Sequence, residues 1–188
     1  AADHLDLVRG LSAVAVLVYH IRYRFFFDYA DLSPPSLLVR CFYTLTAFGH
    51  DAVMVFFVLS GFFISRSIIA DHAAGRWSWS RYLLNRLVRL YVVLLPAVAL
   101  TCLLDLLGTT LFASHVAYTG QAQEWKHDFF DVRGRLSVGT VLGNLFFLQT
   151  ILVPPLGSND ALWSLSFEFW YYLLFPLLWL LVVAGSSW

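Results

Sequence analysis

Long apolar runs, broken by isolated ionisable residues and short polar connectors, make up most of this chain. A bilayer-spanning helix needs about 20 largely apolar residues. Four segments meet or approach that length: residues 7–27, 47–69, 82–107 and 162–184. A fifth apolar piece, residues 138–153, is shorter and ends at Pro154-Pro155; it reads as either a tilted span or a re-entrant half-helix. Between the first two spans, residues 28–46 contain Ser33-Pro34-Pro35, which predicts a turn. Residues 71–80 form a short polar loop. Residues 108–139 are the longest polar region and carry Glu124, Lys126, His127, Asp128, Asp131, Arg133 and Arg135. No internal repeat is visible, which argues against solenoids and propellers. The pattern predicts an all-α, polytopic transmembrane helix bundle of four full spans plus one shorter helix.

Composition agrees. The chain is 60% hydrophobic and 13% charged, with a mean hydropathy of +0.72, whereas soluble domains average about 45–50% apolar and about 25% charged. The lipid bilayer is therefore the expected environment. Net charge is zero, which favours neither a nucleic-acid partner nor a polybasic membrane tether. The two cysteines, Cys41 and Cys102, lack CxxC spacing and give no metal or redox motif. Arg66, Arg76, Arg81, Arg86 and Arg89 flank the connector between spans two and three, against Arg22, Arg24 and Arg40 between spans one and two. That bias places the former connector, and with it the N-terminus, in the cytoplasm. The leader before the first apolar run is acidic and no small-residue cleavage site follows it, so a signal peptide is not expected. The chain lacks an initiator Met and ends soon after an apolar helix, and is expected to be a piece of a larger membrane protein.

Ionisable residues inside these spans carry the candidate chemistry, because each costs about 2.5–3.5 kcal/mol on insertion scales and such residues face protein or wet cavities. In the first span, Asp6 and Arg9 are three residues apart on one face. His20 follows Arg9 by eleven residues, which returns it to the same stripe about 16 Å further along the helix. The simplest account makes Arg9 an interfacial anchor and His20 a satisfied polar residue; the shared stripe weakens it. Gly49-His50-Asp51 opens the second span, where Asp51 suits the helix dipole. Ser60-Gly61 would let another helix approach closely. The third span begins RYLLNRLVRLY, in which Arg86 and Arg89 share a face. They serve either as positive-inside anchors or as a clamp for an anionic ligand. In WSLSFEFWYY, capped by Asn159 or Asp160, Glu168 lies about two turns into an apolar helix, beyond the reach of dipole stabilisation, and needs a partner. His20 is the natural proton acceptor near neutral pH, and Asp51 or Glu168 would orient its ring.

Taken together, LDLVRGLSAVAVLVYH, FGHDAVMVFFVLSGFFIS, RYLLNRLVRLY and LWSLSFEFWYYLLFP resemble, in order, the motifs of acyltransferase family 3, bacterial membrane O-acyltransferases that modify surface polysaccharides. The resemblance implies that residues 1–188 form a single membrane domain, the N-terminal half of one with about ten spans, in the bacterial inner membrane. It also implies transfer of an acyl group, usually acetyl, from cytoplasmic acyl-CoA to a hydroxyl of an extracytoplasmic acceptor: a polysaccharide, glycolipid or small molecule. By position, Arg9 and His20 match the essential pair of the first helix, and Asp51 the acidic residue before FFVLSGF. Arg86 and Arg89 match an Arg-x-x-Arg motif on the CoA side, and Glu168 the glutamate after WSLS. Two departures stand out. Glu168 is followed by Phe169 where the family often has a second carboxylate, and His50 stands where an apolar residue is common. No metal is implied.

His20 would take the hydroxyl proton, or carry the acyl group itself. Two other classes fit the polar residues less well. A transporter or channel would use Arg9, His20 and Glu168 as an intramembrane path, and a membrane scaffold would use them for pairing between helices.

Overall fold

The computed structural model describes residues 2–114, 118 and 131–185. Glu124, Lys126, His127 and Asp128 of the long polar region lie outside them. Six α-helices are present among the described residues: α1 (Ala2–Phe25), α2 (Leu37–Leu45), α3 (Gly49–Ala73), α4 (Trp79–Leu111), α5 (Val138–Leu145) and α6 (Trp163–Gly185). The fold is all-α. Four stretches are long and apolar enough to cross a membrane: His4–Tyr23, Leu37–Ala73, Trp79–Leu111 and Asp160–Val183. The connector predicted as a turn holds α2 as well. Ser36 follows the two prolines and caps that helix, accepting from the Val39 amide at 3.4 Å. At the end of α3, Gly75 takes a left-handed φ of 65° and donates to the His72 carbonyl, stopping the helix before Arg76.

The chain divides into two compact units, the first running to Ile64 and the second built from Ser65 onward. In the first, Leu7, Leu11, Val14 and Leu17 form an exposed apolar stripe on α1. Arg9, Ser12, Tyr19 and His20 lie on the better covered side. A side chain at Gly49 would collide with the Tyr19 ring, so α3 closes on α1 at its first residue. Gly61 makes no such approach: a Cβ there would meet open space.

In the second unit α4 acts as a ruler. Its buried residues, Tyr82, Leu90, Leu94, Val98, Thr101, Asp105 and Gly108, recur at helical spacing. Its outward residues, such as Val92, Leu95, Leu103 and Leu104, are exposed and apolar, as lipid contact requires. Arg133 Nη2 donates to the Thr109 carbonyl at 3.2 Å, near the C-terminal end of α4. After α5, Tyr91 donates to the Leu145 carbonyl at 3.0 Å, far toward the other end. Ser158 then returns to Asp105. The chain thus dips from the level of Asp105 to that of Tyr91, about 21 Å along α4, and comes back. With eight residues, α5 is about 12 Å long and cannot cross a bilayer. The fifth apolar piece is a half-helix followed by irregular backbone.

Irregular backbone at this depth must satisfy its polar groups internally, and side chains do so. Asn144, fully buried, donates to the Thr140 and Pro154 carbonyls at 2.8 and 3.0 Å and accepts from the Leu156 amide at 3.2 Å. Gln149 donates to the Leu162 carbonyl at 2.9 Å.

Candidate functional site

In the first unit, α1 is one unbroken helix from Ala2 to Phe25. Arg9 and His20 therefore keep their separation of about 16 Å and do not touch. Arg9 pairs with Asp6 at 3.6 Å and lies over the Phe63 ring of α3 at 5.8 Å. His20 is half-buried. Its Nδ1 stands 2.8 Å from the Val16 carbonyl oxygen. A carbonyl only accepts, so Nδ1 carries the proton and Nε2 keeps its lone pair in the neutral ring. Tyr19 packs edge-on against the imidazole at 5.5 Å and stacks on Tyr23. Arg22 lies over Tyr19 at 5.4 Å and over Tyr43 at 5.0 Å. Asp51 is exposed in the first turn of α3. The group that holds Nδ1 of His20 is a backbone carbonyl one turn back, not this carboxylate.

The second unit joins Glu168, Arg86 and two tyrosines. Pro176 lies inside α6 and has no N–H, which leaves the Tyr172 carbonyl without its helical donor. The Tyr82 hydroxyl of α4 supplies that donor at 3.1 Å. Tyr172, one turn after Glu168 on the same face, donates its hydroxyl to Glu168 Oε1 in a short hydrogen bond. Arg86 lies over both rings, 5.5 Å from Tyr82 and 5.3 Å from Tyr172. Arg89 follows Arg86 by three residues on the same face of α4. Arg86 and Glu168 thus meet through Tyr172, half a bilayer or less from the N-terminal end of α4.

The opposite face of α6 holds the dipping loop. Ser166 and Trp170, four residues apart, both donate to the Phe147 carbonyl, at 2.8 and 3.0 Å. Phe147 sits at a left-handed φ of 58°, stacked on Phe169 at 4.5 Å. Above it, Ser158 donates to the Asp105 carboxylate twice, from its amide at 2.7 Å and its hydroxyl at 2.8 Å. Neither expected cap of α6 is made. Asn159 donates to Thr101 at 3.0 Å, and Asp160 pairs with Arg135 at 3.6 Å.

Residues 3–188 match the family model described as an acyltransferase domain. The chain belongs to acyltransferase family 3. It is similar to the acyltransferase MdmB of Streptomyces mycarofaciens, at 29% identity over 178 residues, which are 93% of this chain and 38% of that protein. The chain therefore spans well under half the length of the curated relative it matches. No solved structure matches it. In this acyltransferase family 3 chain, reading the sequence for candidate residues passed over Tyr82, Tyr172, Ser166 and Trp170. The i, i+4 spacing of Glu168 to Tyr172 and of Ser166 to Trp170 was the available signal.

Proposed function

We propose that this chain carries part of the acyl-transfer machinery of a membrane O-acyltransferase. Its donor is a cytoplasmic acyl-CoA, most simply acetyl-CoA, and its acceptor is a hydroxyl on an extracytoplasmic molecule such as a surface polysaccharide. The N-terminus is cytoplasmic in this reading, and the protein is a multi-pass component of a bacterial inner membrane. The observation that carries the reading is the Val16 carbonyl on Nδ1 of His20, which leaves Nε2 as a ready proton acceptor.

A thioester is activated, but an alcohol attacks it slowly until its proton is removed. Nε2 of His20 takes that proton as the alcohol oxygen bonds to the acyl carbon. The tetrahedral intermediate then collapses, the carbon–sulfur bond breaks, and the thiolate leaves with the proton returned by the imidazolium. Such catalysis contributes about 10²–10⁴-fold. Arg9, fixed by Asp6 and Phe63, is a cation one half-helix from the base and serves the donor rather than the reacting carbonyl. Arg86 and Arg89 bind the donor's anionic part, and Glu168 holds Tyr172 by its hydrogen bond and the Arg86 platform by its negative charge. Asp51, exposed beside the Tyr19–Gly49 contact, contributes negative charge near the base end of α1.

The test is release of free thiol from acetyl-CoA by the full-length protein in membranes. His20→Ala is expected to lower release at least 100-fold at unchanged protein level. Full release by that variant would reject His20 as the base, and flux of a solute without any acyl donor would favour transport instead.

A further inference from the structure

Two contacts of different kinds bear on the His20 ring. Nδ1 is tied to the Val16 carbonyl at 2.8 Å. A single hydrogen bond fixes one ring atom, and the torsion that turns a histidine ring is broad rather than sharply staggered. The tie alone therefore leaves the imidazole able to swivel about Nδ1, and Nε2 with it. The second contact is the Tyr19 ring, edge-on to the imidazole at 5.5 Å with the two planes 85° apart. A neighbour stops a swivel only if it is itself held, and Tyr19 is held on three sides. Gly49, the buried first residue of α3, passes so close that a Cβ there would strike Tyr19 Cβ and Cγ; glycine allows that backbone approach. Tyr23 stacks on the Tyr19 ring at 6.1 Å, with the planes 14° apart. The Arg22 guanidinium lies 5.4 Å over the same ring and 5.0 Å over that of Tyr43 in α2. Tyr43 is buried and donates its hydroxyl to the Phe27 carbonyl at 2.6 Å. Helices α1, α2 and α3 thus all bear on Tyr19, directly or through Arg22. Its hydroxyl makes no hydrogen bond among the described residues, so it is the ring that the fold holds.

We propose that Tyr19, seated by Gly49 and Arg22, is a positioning residue that aims Nε2 of His20. The inference rests on the reading of His20 as the base. Tyr19 acts through the imidazole and needs no contact with either substrate. Its effect falls on the transfer step, where a misplacement of about 1 Å can cost about 10²-fold, and not on donor binding. Gly49 gains a role of its own here: it brings α3 against the residue that steadies the base, whereas its neighbour Asp51 is exposed.

The experiment measures thiol release from acetyl-CoA by the full-length protein in membranes, as maximal rate per folded molecule and KM for acetyl-CoA. Tyr19→Leu keeps an apolar helix former and removes the ring. It is expected to lower the maximal rate at least tenfold with KM within about twofold of wild type. Tyr19→Phe restores the ring and should return the rate to within about threefold. Gly49→Ala, which pushes on Tyr19, should lower the rate about fivefold or more. Combined with Tyr19→Leu it should cost no more than the larger single loss, because both act on one contact. A wild-type rate in Tyr19→Leu, a loss that Tyr19→Phe shares, a change confined to KM, or losses that multiply in the double variant would each overturn the positioning role. His20→Ala judges the base separately: its full activity would reject that reading, whereas an inactive His20→Ala beside a fully active Tyr19→Leu overturns only the role of Tyr19.

Discussion

Two carboxylates of the second unit, Asp105 and Glu168, sit in opposite circumstances. Asp105 is 3% exposed, and a single residue, Ser158, satisfies both of its oxygens with an amide and a hydroxyl. Gly157, at a φ of +53°, passes so close that a side chain there would strike the Asp105 carboxylate. Nothing further fits. Glu168 is half-buried, has Tyr172 as its one hydrogen-bond donor among the described residues, and is separated from the Arg86 guanidinium by the Tyr172 ring. A charge whose partners are complete holds structure, because any ligand must first break those bonds. A charge with spare acceptor capacity can still receive a ligand. By this criterion Asp105 clasps the returning loop to α4, and Glu168 keeps the role in the site that we propose for it.

The contrast can be broken from either side. The largest stability loss is expected from Asp105→Ala, which strands two donors of Ser158 at the price of about 3 kcal/mol. Thermal unfolding of the protein in detergent reads this directly, and the folded fraction should keep its turnover rate. Next comes Tyr82→Phe, which leaves the Tyr172 carbonyl without a donor above Pro176 and should cost about 1.5 kcal/mol; the same melting assay checks it. Ser166→Ala should cost least, about 1 kcal/mol, since Trp170 still donates to the Phe147 carbonyl. If Trp170→Phe and Ser166→Ala together cost no more than either alone, the two donors do not share that carbonyl as described.

The four long helices were legible because a bilayer demands apolar runs of a fixed length, and each predicted span lies within a few residues of its helix. α2 was hidden by Pro34-Pro35, which signal a turn but stand just ahead of the Ser36 cap and so precede a helix instead. The end of α5 was ambiguous for a different reason. Residues 138–153 are apolar throughout, and what bends them at Phe146 is a set of long-range hydrogen bonds through Asn144, Gln149 and Ser166. None of those partners can be named from local sequence. The same holds for Tyr82, ninety positions from the carbonyl it serves. The candidate residues themselves were legible as ionisable groups in apolar surroundings. Asp6 as the neighbour of Arg9 was legible because one helical turn separates them, whereas Tyr172, at the same kind of spacing from Glu168, was passed over.

The most direct measurement pairs melting with thiol release for Glu168→Gln beside Asp105→Ala in the full-length protein. Glu168→Gln should melt within about 1 kcal/mol of wild type, because the amide oxygen still accepts from Tyr172, while acetyl-CoA turnover falls at least tenfold. Asp105→Ala should show the reverse, a lower melting temperature with turnover per folded molecule unchanged. Glu168→Gln at full turnover, or Asp105→Ala inactive while fully folded, would contradict the division between site and clasp.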